Sequence, residues 1–98
     1  MVEDIVGCKW SLAVIGALRA GVRRPGALEP RIEGISKKVL NERLAKLLRY
    51  GIVTKQVYAE LPPRVEYHVT PFGERFCELL DGVEQLQRLL DGDGGGAR

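Results

Sequence analysis

The chain has 98 residues, of which 45% are hydrophobic and 29% charged, with a net charge of +2, two cysteines and one histidine. This is one domain of ordinary globular composition, small enough that sharing a core with a second copy would help it. The slight positive balance selects no partner by itself.

No apolar run approaches the roughly 20 residues that span a bilayer, so no membrane partner is expected. The acidic start, MVEDIVG, lacks the basic and apolar regions of a signal peptide. Cys8 and Cys77 are too few for a disulfide framework and fit a reducing cytosol.

Lys9–Ala20, KWSLAVIGALRA, predicts a first helix. Trp10, Leu12, Ala13, Val14, Ile15, Ala17 and Leu18 leave it little polar face, so it is expected to be largely enclosed. It either centres the core or also meets a second subunit. Trp10 reads as a packing anchor rather than a ligand platform.

Arg23-Arg24-Pro25-Gly26 breaks the pattern. Pro25 suits the first position of a second helix, where a missing amide proton is harmless. Pro30 removes an interior hydrogen bond and crowds the preceding turn. One or two turns are therefore expected, partly 3₁₀ in character.

Gly34-Ile35-Ser36 is the turn into Ser36–Tyr50, SKKVLNERLAKLLRY. Here Val39, Leu40, Leu44, Leu47 and Leu48 form one apolar stripe, with Lys38, Asn41, Glu42, Ala45 and Arg49 opposite. Ser36 is placed to cap the helix and Gly51 to end it. Lys37, Lys38, Arg43, Lys46 and Arg49 against Glu42 make this helix +4, within a chain of only +2. It is either a nucleic-acid reader or an ordinary solvated lysine-rich face.

After Gly51 the period changes from 3.6 to 2. Val53, Lys55, Val57 and Ala59 alternate with polar neighbours, and Val65, Tyr67 and Val69 do so on the return. The odd positions predict a hairpin packing one face on the helices, with Leu61-Pro62-Pro63 at its tip. Two helices joined by a short turn, followed by a two-stranded ribbon, make a winged helix-turn-helix.

Thr70 and Pro71 restart a helix as cap and first residue. Phe72, Phe76, Leu79, Val83, Leu86 and Leu90 then form a heptad seam on an acidic segment. An acidic helix is a poor DNA contact and a good dimerisation element; the alternative is that the seam only covers its own core. Residues 1–91 read as the DNA-binding domain with this C-terminal dimerisation helix, and 92–98 as a disordered glycine-rich tail. The fold class is mainly α with a small β wing (α+β).

No carboxylate pair, phosphate-cradling glycine loop or Ser/His/Asp set stands out, so no catalytic residue, metal or cofactor is expected. His68, on the polar face of a strand, lacks metal-ligating neighbours in sequence. Cys8 and Cys77 read as free thiols, with a pairing across or within a dimer as the alternative.

Several segments now line up with one family. They are Gly7-Cys8-Lys9-Trp10, Arg23-Arg24, Gly34-Ile35-Ser36-Lys37-Lys38-Val39-Leu40, Arg43-Leu44, Leu47 and Tyr50-Gly51-Ile52-Val53. The wing segment Pro62-Pro63-Arg64-Val65-Glu66-Tyr67, leading to Thr70-Pro71-Phe72-Gly73, completes them. Over about residues 7–80 the chain resembles the HxlR-type winged-helix regulators, of MarR-like fold. The resemblance implies a homodimeric, sequence-specific DNA-binding transcription factor in the cytoplasm, on the nucleoid, without catalysis. It implies a dimer made by the first helix and the C-terminal helix, here Trp10 and Val14 with Phe76, Leu79, Val83, Leu86 and Leu90. Two departures stand out. Pro25, Gly26 and Pro30 interrupt the second helix, and Cys8 adjoins the Lys-Trp pair instead of lying well upstream, so redox sensing does not carry over by position.

The partner is then double-stranded DNA, an operator with two half-sites. Ser36, Lys37, Lys38, Asn41 and Glu42 occupy the base-reading turns. Arg43, near the apolar side, supports the helix or reaches a phosphate; Lys46 and Arg49 lie further along, toward phosphates. Arg64 is the wing's contact to minor groove or backbone. Arg23 and Arg24 flank the duplex or are simply solvated. The other reading is a winged-helix protein–protein interaction module without DNA binding. Nothing in the sequence marks an effector or separates repression from activation.

Overall fold

The computed structural model describes residues 9–93. Ser11, Val14, Ile15 and Leu18 recur at helical spacing and are the buried residues of α1 (Lys9–Arg19). The opposite side is open, with Leu12, Ala13, Gly16 and Ala20 exposed. The expectation of a largely enclosed helix therefore holds for one face only. Small residues make the other face apolar in composition, and among the described residues it stays largely exposed.

The second helix, α2 (Pro25–Arg31), has Pro25 in its first turn and Pro30 one residue from its end. So late in the helix, Pro30 removes only one interior hydrogen bond. The helix is short, as expected, but α-helical. Leu28 anchors it in the interior.

In α3 (Lys37–Arg49), the Ser36 hydroxyl oxygen accepts from the Val39 amide at 3.1 Å. The helix stops at Gly51, whose φ of +77° an L side chain rarely adopts. Ile52 N–H then donates to the Leu47 carbonyl and Gly51 N–H to that of Leu48, both at 3.0 Å. This paired closure satisfies carbonyls a helix end would otherwise leave unmet. It also delivers Ile52, fully buried, into the core beside Leu40, Leu44 and Leu47.

Strands β1 (Val53–Tyr58) and β2 (Arg64–Val69) pair antiparallel, with Val53 opposite Val69, Lys55 opposite Tyr67 and Val57 opposite Val65. Val53 and Tyr67 are buried, whereas Lys55 and Val57 are exposed. The body is met by β2, where Tyr67 is in the core and Val65 and Val69 pack against it, and by Val53 at the base of β1. The predicted apolar face is continuous, but the outer part of β1 lies clear of the body, and Leu61 at the tip is 98% exposed. On the free edge of β2, Tyr67 N–H donates to the Arg23 carbonyl at 2.8 Å, drawing the loop after α1 alongside the wing.

The last helix, α4 (Pro71–Arg88), continues through a turn with π-type hydrogen bonding, Leu89–Asp93. Of the glycine-rich residues 92–98, expected to be disordered, Gly92 and Asp93 belong to this turn, and 94–98 lie outside the described residues, as does Cys8. Thr70 sets the angle of α4. Its hydroxyl donates to the Gly51 carbonyl at 2.7 Å and accepts from Gly73 N–H at 2.9 Å.

Gly73 is pressed against that same turn, where a Cβ would run into the Ile52 carbonyl oxygen and stand 2.8 Å from Val69 Cγ1. Gly73→Ala is therefore expected to cost about 1–3 kcal/mol of overpacking. Urea unfolding measures this, and an unchanged midpoint would contradict the close approach.

Phe76 and Cys77 close the core from α4. Leu80 still packs against the core; beyond it the helix leaves the body, and Leu79, Val83, Leu86 and Leu90 are bare. Arg19 ties α1 to α4 through Asp81 at 3.2 Å and Glu74 at 3.7 Å. Such exposed pairs contribute little, so packing carries the junction. Among the described residues, no helix is long and apolar enough to cross a membrane.

Candidate nucleic-acid interface

The stripe that buries Leu40, Leu44 and Leu47 leaves the opposite face of α3 in water. Ser36, Lys37, Lys38, Asn41, Glu42 and Arg49 are all exposed on it. Lys37 and Asn41 border a hollow of about 280 Å³ with Pro25, Gly26 and Glu29 of α2. The two helices of the motif thus meet where the reading turns begin. Lysine and asparagine there offer donors, and Asn41 and Glu42 offer acceptors, the set needed at major-groove base edges.

Arg43 and Lys46 are only half-exposed. Arg43 Nη2 stands 3.9 Å from Glu42 Oε1, and the guanidinium stem lies along the body. That placement agrees with a supporting role for Arg43 and leaves the exposed turns to its neighbours.

Two arginines outside α3, Arg64 and Arg23, are engaged in local contacts. Arg64 reaches Glu60 at 3.4 Å and Glu66 at 3.5 Å, and its guanidinium lies 4.2 Å from the centre of the Tyr58 ring. Arg23 Nη1 lies 3.0 Å from His68 Nδ1. Arg24 is exposed ahead of α2 and borders, with Pro63 and Val65, a groove of about 510 Å³ between α2 and the wing tip. Glu66 and Tyr58 were not expected at this site, and His68 was weighed only as a metal ligand. The alternation of Glu66 and His68 on one face of β2 was legible, but the arginine partners were not.

Of the expected dimer contacts, Val14 and Phe76 are enclosed in the protomer's own interior, at 0% and 6% exposure. Trp10 is half-buried, its ring edge against Gly34. Leu79, Val83, Leu86 and Leu90 are between 55 and 67% exposed, and Leu12 and Leu89 join them. Between α1 and α4 runs a groove of about 330 Å³, bordered by Leu12, Gly16, Leu80 and Val83 with Cys77 at its floor. Burial pushes the Cys77 thiol up, against a downward pull from Arg19. It is therefore held as the protonated, less reactive species. Among the described residues no cluster of His, Cys, Asp and Glu could hold a metal ion.

Residues 5–91 match the HxlR-like helix-turn-helix family. An uncharacterized HTH-type transcriptional regulator of Synechocystis sp., sll1512, is 40% identical over 85 residues, 87% of this chain and 63% of its own length. YtfH of Escherichia coli K12, also named as an HTH-type transcriptional regulator, is 37% identical over 83 residues, 81% of this chain and 66% of its own length. The chain thus spans just under two thirds of these curated relatives. Among solved structures, a MarR-family regulator from Enterococcus faecalis V583 superposes with a TM-score of 0.87 at 30% identity, over 95% of this chain and 84% of that one. Reduced YodB from B. subtilis does so with a TM-score of 0.83 at 27% identity, over 94% and 90%. The winged helix-turn-helix expected from the residues is the fold of these neighbours, and the chain belongs to the HxlR-like helix-turn-helix family.

Proposed function

We propose that the chain is a homodimeric, sequence-specific DNA-binding transcriptional regulator. The observation that carries this reading is the exposed first half of α3. Lys37, Lys38, Asn41 and Glu42 stand clear of the body on a helix capped at both ends, whose other face is the core. Such a helix enters a major groove without rearrangement. Lys38 and Asn41 read base edges, Lys37 and Glu42 flank them, and Arg49 meets phosphate. The wing lies on the neighbouring minor groove or backbone, with Arg24 beside its tip.

The second copy covers the bare seam of α4. Leu79, Val83, Leu86 and Leu90 form an exposed stripe of a kind that marks an interaction site on a small soluble domain. Val14 and Phe76, enclosed in the protomer's own core, take no direct part in it. Family membership and the regulator names of the relatives support the coarser part of this reading, a DNA-binding transcriptional regulator.

The test is a gel shift of genomic fragments from the source organism at low salt. Fragments should be retained at submicromolar protein, and log affinity should fall linearly with log salt concentration as lysine and arginine displace counterions. No retention at micromolar protein would favour instead a winged-helix module that binds another protein. The neutralised wing, Arg64 against Glu60 and Glu66, is the observation on that side.

A further inference from the structure

One run of polar contacts joins the wing to the loop before α2. Arg23 Nη1 lies 3.0 Å from His68 Nδ1, and His68 Nε2 lies 3.1 Å from Glu66 Oε1. A guanidinium stays charged and only donates, so Nδ1 must be the acceptor. A carboxylate only accepts, so Nε2 must carry the hydrogen. Together the two contacts admit one species of His68, the neutral imidazole protonated on Nε2.

The surroundings make this arrangement sensitive to charge. Glu66 is also held by Arg64 at 3.5 Å and approached by the Tyr58 hydroxyl at 3.4 Å. Arg64 in turn reaches Glu60. On the helical side, Arg24 and Arg31 border the same hollow as Arg23 and Glu66. Across the ribbon His68 faces only the uncharged Thr54.

We propose that His68 is a positioning residue for DNA binding: neutral, it ties the Arg23 guanidinium to the wing, and on gaining a proton it lets that guanidinium go. A proton added from solvent to Nδ1 turns the acceptor into a donor and sets two cations against each other. The Glu66 contact survives, becoming an ion pair. Arg23 is then available to a phosphate, and the wing carries one more positive charge. The sign follows. Duplex phosphates favour the protonated imidazole, so binding takes up protons and tightens as pH falls. This inference rests on the DNA-binding reading above.

Because the chain has one histidine, ¹⁵N-labelled imidazole signals report His68 directly, on the free protein. The Nε2–H tautomer is expected at pH 8, and the Nδ1–H tautomer would overturn the proposal. Affinity is then measured by fluorescence anisotropy for a mixed-sequence duplex of about 30 base pairs, at fixed low ionic strength, between pH 8 and pH 6. The wild type should tighten by about threefold to tenfold, of the order expected for one linked proton and one added phosphate contact. H68Q, whose amide can accept from Arg23 and donate to Glu66 but takes up no proton, should stay flat between pH 8 and pH 6. R23Q should lose most of the pH response. A wild-type slope equal to that of H68Q would overturn the proposal while leaving DNA binding intact. Absence of binding at every pH would overturn both, so the two failures are distinguishable.

Discussion

Glutamate at both Leu86 and Leu90 is expected to leave a folded monomer and remove operator binding at protein concentrations that saturate the wild type. Both leucines lie on the part of α4 that has left the body, and both are more than 60% exposed. Changing them therefore removes no contact from the protomer's own core. In the proposed dimer the same positions are buried against a second copy, and each altered protomer brings its own charges. An unpaired buried charge costs several kcal/mol, so the dissociation constant of the dimer should rise by a factor of about a hundred or more. Sedimentation velocity gives the mass, and thermal unfolding checks the protomer. A dimer that persists unchanged would place the interface elsewhere.

Replacing Lys38 and Asn41 together by alanine is expected to abolish sequence preference while preserving the fold and most non-specific affinity. Both side chains are exposed on α3 opposite its buried stripe. A well-formed side-chain contact to a base edge is worth about 1–3 kcal/mol of discrimination. A symmetric dimer loses each contact in both half-sites, so specific affinity should fall by about a thousandfold or more. Non-specific affinity depends on phosphates and should change far less, since Lys46, Arg49 and the loop arginines remain. Competition between the selected operator and bulk genomic DNA measures the ratio. An unchanged preference would mean that α3 is not the reader.

Helix α3 was legible because everything that makes it is local. Ser36 caps it, a 3.6-residue stripe orients it and Gly51 stops it, all within sixteen residues of one another. The ribbon was legible through its period of 2. Its packing was not, because the alternation does not tell that β2 lies against the body while the outer part of β1, with Lys55 and Val57, lies clear of it. The heptad seam of α4 hid a similar boundary. Phe76 and Leu79 are neighbours in one pattern, yet the first fills the core and the second faces water. That division is set by the Thr70–Gly73 junction with Gly51 and Ile52, a tertiary contact. The contact between Arg23 and His68 joins residues 45 positions apart. No periodicity or composition could have paired them.

The most direct measurement is a dimethyl sulfate footprint of the selected operator, because the reagent attacks guanine N7 on the major-groove edge. A helix seated there should protect guanines in two half-sites, centred about one helical turn or a multiple apart, and the Lys38→Ala/Asn41→Ala protein should lose that protection. Protection confined to the sugar–phosphate backbone, with guanine N7 equally reactive in free and bound DNA, would contradict the placement of α3 in the major groove.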